Sequence, residues 1–524
     1  MVAPPLRSLA SQPRKRSLAS QPRKRSLAAQ PRKRALPVRP RSYACAMLRW
    51  RLDNTYARLP DRLFSRVMPA KVRDPRCVIA NHALAEELGL DLRAVTEQQL
   101  ASALAGQVLP EGADPIAQAY AGHQFGGFTM LGDGRAVLLG EHITPQRKRV
   151  DVQLKGSGQT PYSRRGDGLA VLGPMLREHI MGEAMHALGI PTSRSLAVVT
   201  TGEPVLRESV RRGAILVRVA SSHIRVGTFQ YAAAVGDHDA LKALADYAIG
   251  RHYPEIGARD GRYLEFLHAV IARQASLIAR WQSVGFIHGV MNTDNMAISG
   301  ETIDYGPCAF MDAYHPGTVF SSIDHHGRYA YGNQPSVARW NLARFAETLL
   351  PLISGDEAKA IAAATEALQR FSATYERHWL AHMRARLDLR TEQPGDAALV
   401  QSLLDWMQES EGDYTLTLRN IGDLRCEDET IAAWRARWQA RLRDEPASTA
   451  EERLYRMRHA SPAVIPRNYR VEEALEAAEE RDDCAPLHEL LDALAHPFDD
   501  AADRSKFAAP PPPSFCGYRT FCGT

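Results

Sequence analysis

Once the first 46 residues are passed, the apolar positions of the chain fall into two regimes. From about Leu48 to Pro316 short β-branched runs recur (Val150 and Val152, Val198 and Val199, Ile215 to Val219), separated by glycines and turn residues. Such runs predict strands, and the stretches between them carry helical spacing, so this part reads as α+β. One helix is predicted from Pro174, a good first-turn residue, with Leu176, Ile180, Ala184 and Leu188 as its apolar stripe. From about Gln334 to Phe498 the spacing becomes helical throughout. Trp340, Leu342, Phe345, Leu349 and Leu350 open it, followed by helices over Ala358 to Leu389, Leu399 to Met407, Thr430 to Leu442 and Val471 to Leu494. Pro510 to Pro513 then stiffen a tail that is expected to lie across the surface. The expected divisions are a tail over 1–46, a chemistry-bearing region over 47–316, a helical region over 317–509 and a proline-rich tail over 510–524.

The first 46 residues have no such pattern. A nine-residue repeat, RSLASQPRK at Arg7 and Arg16 and RSLAAQPRK at Arg25, places a proline in every copy, and proline at that spacing breaks helices. Met1 to Arg41 holds twelve basic residues (Arg7, Arg14, Lys15, Arg16, Arg23, Lys24, Arg25, Arg32, Lys33, Arg34, Arg39, Arg41) and no acid. Unopposed like charge with few large apolar groups stays solvated, so a disordered basic tail is expected. Three readings compete: a tail for RNA or anionic lipid, an Arg- and Ser-rich organelle transit peptide, and translated sequence upstream of a true start. The third is preferred, because Met47 opens LRWRLDNTYARLP, where globular patterning begins.

That split changes the meaning of the net charge. The whole chain is +5, with 65 Lys and Arg against 60 Asp and Glu; without the tail's twelve, 53 basic residues face 60 acidic ones, a net of −7. The nucleic-acid signal therefore belongs to the tail, and no specific nucleic-acid partner is expected of the rest. At 45% hydrophobic and 24% charged, the 524 residues exclude disorder of the chain as a whole. Seven cysteines (Cys45, Cys77, Cys308, Cys426, Cys484, Cys516, Cys522) show neither a C-x-x-C pair nor metal-ligand spacing, which suits a reducing compartment. No apolar run approaches the ~18 residues of a membrane helix. The expected location is the cytoplasm, or the mitochondrion if the basic segment is a transit peptide, and the expected state is a monomer.

Candidate chemistry lies between Tyr120 and Asp304. YAGHQFGGFTMLGDGRAVLLGE sets Gly122, Gly126, Gly127, Gly132 and Gly134 between helical sequence and a strand, where a backbone can approach phosphate closely. Glycines there also make plain turns, and neither a complete G-x-G-x-x-G nor G-x-x-x-x-G-K-[ST] occurs. Next, Val150, Val152 and Leu154 alternate on one face of a strand, and Lys155 ends it on the other, able to aim an ammonium at a nucleotide phosphate. Glu178, on the helix from Pro174, completes the strand-lysine and helix-glutamate arrangement of a kinase-type nucleotide site. The alternative is two solvated surface charges. Downstream, Phe286 to Asn295 reads FIHGVMNTDN, followed by Asp304-Tyr305-Gly306. This resembles the catalytic loop and metal-binding Asp-Phe-Gly of the protein-kinase-like fold, with Asn295 and Asp304 at the metal-ligand positions. Oxygen ligands suit Mg²⁺ or Mn²⁺ bound to a triphosphate. The kinase catalytic aspartate is replaced by Val290, so Asp294 is the acid left in the loop to serve as base, or else a turn aspartate capping it.

Taken in order, LDNTYARLP, YAGHQFGGF, LGDGRAVLLGE, DVQLKGSGQTPYSRRGDG, LGPMLREHIMGEAMHALGIPTSRSL, HGVMNTDNM, TIDYGP and the C-terminal FCGT resemble the selenoprotein O (YdiU) family of pseudokinase-fold protein adenylyltransferases, over roughly Leu48 to Thr524. The resemblance implies an α+β, protein-kinase-like two-lobed fold with a large helical C-terminal lobe. It also implies ATP bound upside down relative to kinases, so that AMP passes to a Ser, Thr or Tyr hydroxyl of a protein substrate. Residue by residue, Gly132, Gly134 and Arg135 fall in the first nucleotide-binding segment, Lys155 is the phosphate lysine, and Asp167 with Gly168 form the next contact. Arg218 and Arg225 match the arginines on the far phosphates, and Glu178 matches the ion-pair partner of the lysine. Asp294 takes the proton-acceptor position, while Asn295 and Asp304 hold Mg²⁺ or Mn²⁺, Asp304 also facing the nucleotide.

The same resemblance puts a redox residue at Cys522. Some relatives tie it to a cysteine after D-Y-G, but here HPGTVFSSIDHHGRY contains none and Phe320 stands in the place, leaving Cys308 or Cys516 as substitutes. Asp324-His325-His326 lacks a third ligand at useful spacing and reads as loop hydrogen bonding. Two rival functions remain: an ATP phosphotransferase using Asp294 as base, and a non-catalytic nucleotide-binding scaffold, for which Val290 is the best argument.

Overall fold

The structure is a computed structural model and describes residues 47–423, 429–500, 505–515 and 517–521. The basic repeat, Cys516 and Cys522 lie outside the described residues. The fold is α+β, with a large antiparallel sheet and many helices. In chain order its strands are β1 (Leu52–Asp53), β2 (Phe64–Arg66), β3 (Arg76–Ala80), β4 (Ile116–Gln118), β5 (Ala121–Gln124), β6 (Gly127–Met130), β7 (Ala136–Ile143), β8 (Arg149–Lys155), β9 (Ala170–Val171), β10 (Arg194–Leu206), β11 (Val210–Ala220), β12 (Phe286–Ile287) and β13 (Ala309–Phe310). The helices that matter first are α1 (His82–Leu88), α2 (Glu97–Leu104), α3 (Leu172–Ala187), α4 (Val226–Ala234), α5 (His238–His252) and α6 (Arg262–Ser283). The main sheet runs β2-β4-β7-β8-β11-β10-β3, with β1 paired to β7 and β9 to β11.

Both faces of this sheet are covered, and the alternation along β8 and β11 shows why. Val152, Leu154, Ile215, Val217 and Val219 point to one face and pack with Leu84, Leu88, Leu100 and Leu104 of α1 and α2. Lys155 lies opposite Leu216 and Gln153 opposite Arg218, so these side chains share the other face, where Leu216 joins Leu176 and Ile180 of α3 in the largest core. Each fully buried Leu or Ile in that core contributes ~1.5–3 kcal/mol. The sequence placed Lys155 on the face opposite Val152 and Leu154, and it stands there. Helix α3 begins at Leu172, two residues before the predicted Pro174. The proline still sits in the first turn, where a missing N–H breaks no helical bond.

The second half is helical as expected: α7 (Gln334–Ile353), α8 (Glu357–Arg386), α9 (Asp396–Glu409), α10 (Tyr414–Asn420), α11 (Glu429–Leu442), α12 (Ala450–Ala460), α13 (Asn468–Glu480), α14 (Ala485–Leu494) and α15 (Ser505–Ala508). One prediction is corrected. The single helix over Val471 to Leu494 is two, α13 and α14, because the chain turns at Asp482 (φ 53°) and Pro486 restarts a helix in its first turn. The expected surface tail also does more than lie across the molecule. Thr520 is buried, donates its N–H to Phe320 O (2.8 Å) and its hydroxyl to Pro307 O (2.8 Å), and so docks on the stretch after Asp304-Tyr305-Gly306.

Arg467 joins these parts. Its fully buried guanidinium donates to Asp312 (2.6 Å), to Asp413 (2.7 Å) and to Ala508 O (3.2 Å), tying the segment after β13 to α10 and α15. Arg467→Ala takes the shared partner from two half-buried carboxylates and is expected to cost about 3 kcal/mol of stability. The midpoint of denaturant unfolding measures this; an unchanged midpoint would show that the pair carries no such weight.

Candidate active site

Five charged side chains converge where β8, β11, α3 and the start of α4 meet the loop after β12. Lys155 Nζ donates to Glu178 Oε2 (2.6 Å) and to Asp304 Oδ1 (3.1 Å). Arg218, on β11, donates to Glu178 Oε1 (2.8 Å) and to Asp304 Oδ1 (2.7 Å). Arg225, which begins α4, reaches Asp304 Oδ2 at 3.4 Å and Asp133 Oδ1 at 3.8 Å. Lys155 is 6% exposed and Glu178 3%, which rejects the reading of two solvated charges. Burial alone would raise the Asp304 carboxyl, but Arg218, Lys155 and Arg225 hold it well below the usual carboxylate range. Burial likewise pulls the Lys155 ammonium down, while Glu178 and Asp304 keep it paired.

Asp304 occupies this point through its backbone as well as its charge. Its φ of 62° is left-handed, a conformation aspartate tolerates better than most residues, and it turns the chain so that Gly306 N donates to Asp304 O (2.9 Å).

The loop carrying Asp294 is held from both sides. Gln334 of α7 accepts from His288 N (3.0 Å), and Asn341 of the same helix donates to Met291 O (2.9 Å). From the opposite side comes a feature the sequence did not suggest: the glycine-bearing segment after Tyr120 is a β-hairpin, β5 paired with β6, lying across the loop. His123 N donates to Thr293 Oγ1 (2.8 Å) and Phe125 N to Asn292 Oδ1 (3.2 Å). Gly122 passes so close to Asp294 that a Cβ there would collide with the Oδ1 atom, and Gly227 of α4 crowds the Asp294 backbone. Asp294 is 8% exposed, and its Oδ1 has no hydrogen-bond partner among the described residues. Burial, aided by Asp304, raises its carboxyl to about 6 although Arg225 opposes the shift. Asn295 donates from Nδ2 to Val290 O (3.0 Å), leaving its amide oxygen outside that bond.

The remaining predicted residues divide. Arg135 lies beside the cluster, its carbonyl accepting from Gly156 N (2.7 Å). Gly132 and Gly134 pack on Tyr162 and its backbone, where a Cβ would clash, so they seat the loop after β8. Gly168 (φ 70°) abuts the Gly158 backbone in the same way. Asp167 is paired with Arg207 (2.7 Å) at the β10–β11 hairpin, and no described contact joins it to the five-charge cluster. Asp324 accepts from Arg328 N (2.9 Å) and Tyr329 N (2.7 Å), the loop hydrogen bonding expected of it. Cys308 is fully buried, and Cys522 falls outside the described residues.

A family profile described as "Protein adenylyltransferase SelO" matches residues 46–495. The chain belongs to the SelO family. Proteins named "Protein nucleotidyltransferase YdiU" from Geobacillus kaustophilus and Nitrosococcus oceani are each 58% identical over 481 residues, covering 91% of this chain and 99% and 97% of theirs. One of the same name from Halalkalibacterium halodurans is 57% identical over 483 residues, 91% and 98%. This SelO chain is accordingly a nucleotidyltransferase. Among its described residues no helix is long and apolar enough to cross a membrane.

Within the SelO site, sequence reasoning missed three participants. Asp133 is buried, accepts from Gln118 N (3.1 Å) and Gln153 Nε2 (3.2 Å), and faces Arg225. Tyr120 lies under the Arg225 guanidinium, 4.4 Å from its ring centroid. His223 donates its backbone N–H to Asp151 (2.8 Å) and meets the same carboxylate through Nδ1 (3.1 Å), just behind Arg225 in the chain. Asp133 sits between two glycines already singled out, which is the one signal that pointed to it. Gly122→Ala should displace Asp294 and lower nucleotidyl transfer at least about tenfold, since small misplacements of a reacting group cost that much. Turnover measured beside a circular-dichroism spectrum tests this; wild-type turnover would show that β5 does not set the position of Asp294.

Proposed function

We propose that this chain transfers AMP from ATP to Ser, Thr or Tyr hydroxyls of protein substrates, releasing pyrophosphate. The observation that carries the reading is the convergence of Lys155, Arg218 and Arg225 on Asp304, beside a buried Asp294, in a loop where Val290 replaces the kinase aspartate. The relatives' names specify protein nucleotidyl transfer. The arrangement of Lys155 on a strand, Glu178 on the helix packed behind it and a loop ahead of D-Y-G supports a kinase-like two-lobed fold. In that reading, residues 47–316 form the nucleotide-binding and catalytic region, and 317–509 the helical lobe.

The donor set fits a triphosphate and its metal. Among the described residues, Arg225 Nε and Asp294 Oδ1 are buried without hydrogen-bond partners, as groups awaiting a ligand would be. Guanidinium forks match phosphate oxygens, so Arg218, Arg225 and Lys155 would hold the phosphates that leave. Asn295 and Asp304 would hold Mg²⁺ or Mn²⁺, which supplies charge neutralisation at the α-phosphate. Asp294 accepts the hydroxyl proton as the hydroxyl oxygen bonds to the α-phosphorus. The bond from that phosphorus to the bridging oxygen breaks, and pyrophosphate leaves toward the cations. Arg135 lines the nucleotide beside Lys155; Gly132, Gly134 and Gly168 keep the surrounding loops close, and Asp167 would contact the nucleotide if the Arg207 pair opens. Cys522 remains a candidate redox residue of the tail.

Incubation with ATP labelled at the α or the γ position tests the reading directly. Label from α on protein is expected; label from γ but not α would replace the proposal with phosphotransfer, and label from neither with a scaffold. Asp304→Ala and removal of divalent metal by a chelator should each abolish α-label transfer, and full activity in the variant would mean that the metal site lies elsewhere.

A further inference from the structure

The β5–β6 hairpin does more than press on the catalytic loop. Phe125, Phe128 and Met130, 40%, 48% and 43% exposed, are three of the few large apolar side chains left open among the described residues. Monomers seldom cluster exposed aromatic groups without a use. Phe125 and Gly126 form the two-residue turn with φ of 50° and 91°. A bulky residue is costly at such a position, by about 1 kcal/mol or more. The Phe125 ring packs at 5.1 Å and a tilted angle against Tyr329, whose hydroxyl donates to Asn292 Oδ1 (2.6 Å), two residues before Asp294. Phe128 packs on His123 (5.2 Å), which in turn packs on Trp340 of α7 (5.2 Å).

A cation completes this surface. The Arg328 guanidinium lies 4.9 Å over Trp340 and 5.7 Å over Tyr329, beside Gly126 at the hairpin tip. Among the described residues it has no carboxylate partner and its Nε is unbonded, while its side chain also meets the Tyr329 hydroxyl. An arginine over aromatic rings with no carboxylate partner, beside the exposed Phe125 and Phe128, is the composition of an interface hot spot rather than of a plain surface. The patch is anchored to the loop of Asp294 by hydrogen bonds from His123 N to Thr293, from Phe125 N to Asn292 and from the Tyr329 hydroxyl to Asn292, so it borders the place where an acceptor hydroxyl would meet Asp294.

We propose that the β5–β6 hairpin and the Arg328–Tyr329 turn form the docking lip for the acceptor polypeptide. The lip selects segments with a large apolar residue and an acidic residue next to the modified hydroxyl. The inference rests on the adenylyl-transfer reading and adds to it the chemistry of the preferred acceptor.

The test is a degenerate peptide library with a fixed central Ser, Thr or Tyr, incubated with the full-length protein and α-labelled ATP. Labelled peptides should be enriched in Asp or Glu together with Phe, Leu or Met beside the acceptor. Arg328→Glu should exchange the acidic preference for Lys or Arg, lowering kcat/KM for acidic peptides about tenfold. Phe128→Ala combined with Met130→Ala should erase the apolar preference, and the KM for ATP should stay within about twofold in each variant. Arg328→Ala, a milder change, should simply flatten the acidic preference if the charge swap impairs folding. Labelling without sequence preference, or preferences unchanged in the variants, overturns the inference while leaving adenylyl transfer standing. A raised KM for ATP with an unchanged peptide pattern also overturns it, since the hairpin would then serve the nucleotide. No α label on any peptide in the wild type counts against adenylyl transfer itself, and the inference falls with it.

Discussion

Three buried cations cannot share one corner of a protein interior unless acids stand between them, because each unpaired charge there costs several kcal/mol. Glu178 and Asp304 meet that demand here. Glu178 gives one oxygen to Lys155 and the other to Arg218, and Asp304 gives Oδ1 to both and Oδ2 to Arg225. The consequence reaches far beyond the corner. Glu178 is a helix residue, Lys155 and Arg218 are strand residues, and Asp304 follows the loop that carries Asp294, so satisfying these charges fixes α3 against the sheet and the loop against both.

The same logic explains why the loop after β12 is so heavily braced. A carboxylate with an unpartnered oxygen, such as Asp294, stays in place only if neighbours leave it nowhere to go. Gly122 and Gly227 close on it from two sides, Gln334 and Asn341 grip the loop through its backbone, and Thr293 and Asn292 accept from the hairpin. The glycines matter for what they lack: a side chain at Gly122 would occupy the space of the acid, and one at Gly227 would strike the Ala121 carbonyl and crowd the Asp294 backbone. Farther out, Arg467 and the docked Thr520 secure the segment after Gly306 by similar means, polar groups buried in pairs.

Much of the fold was legible because it depends on period. The β-branched runs around Val152, Val198 and Ile215 became β8, β10 and β11, and the apolar spacing after Gln334 became α7 and its successors. The break between α13 and α14 was lost because Leu475, Leu487, Leu490 and Leu494 keep a helical rhythm on both sides of a turn that periodicity does not register. The hairpin β5–β6 was read as glycine-rich connection, since four-residue strands with two glycines carry almost no alternation. Its turn requires positive φ at Phe125, which no composition rule anticipates.

For the site, the sequence by itself supplied the candidate inventory: a strand lysine, a helix glutamate, Asn295 and Asp304 as proposed oxygen ligands, Asp294 as the proposed base, and two arginines. The lysine and glutamate follow from residue type and spacing along one element, where geometry is local, while the assignments of Asn295, Asp304, Asp294 and the two arginines come from the resemblance of their motifs to the family. Tertiary structure alone decided that Arg218 shares Glu178 with Lys155, that Asp133 and Tyr120 attend Arg225, and that Asp167 turns toward Arg207. Those contacts join residues dozens of positions apart, and which of several like charges finds which partner depends on sheet register and burial, quantities that exist only once the chain has folded.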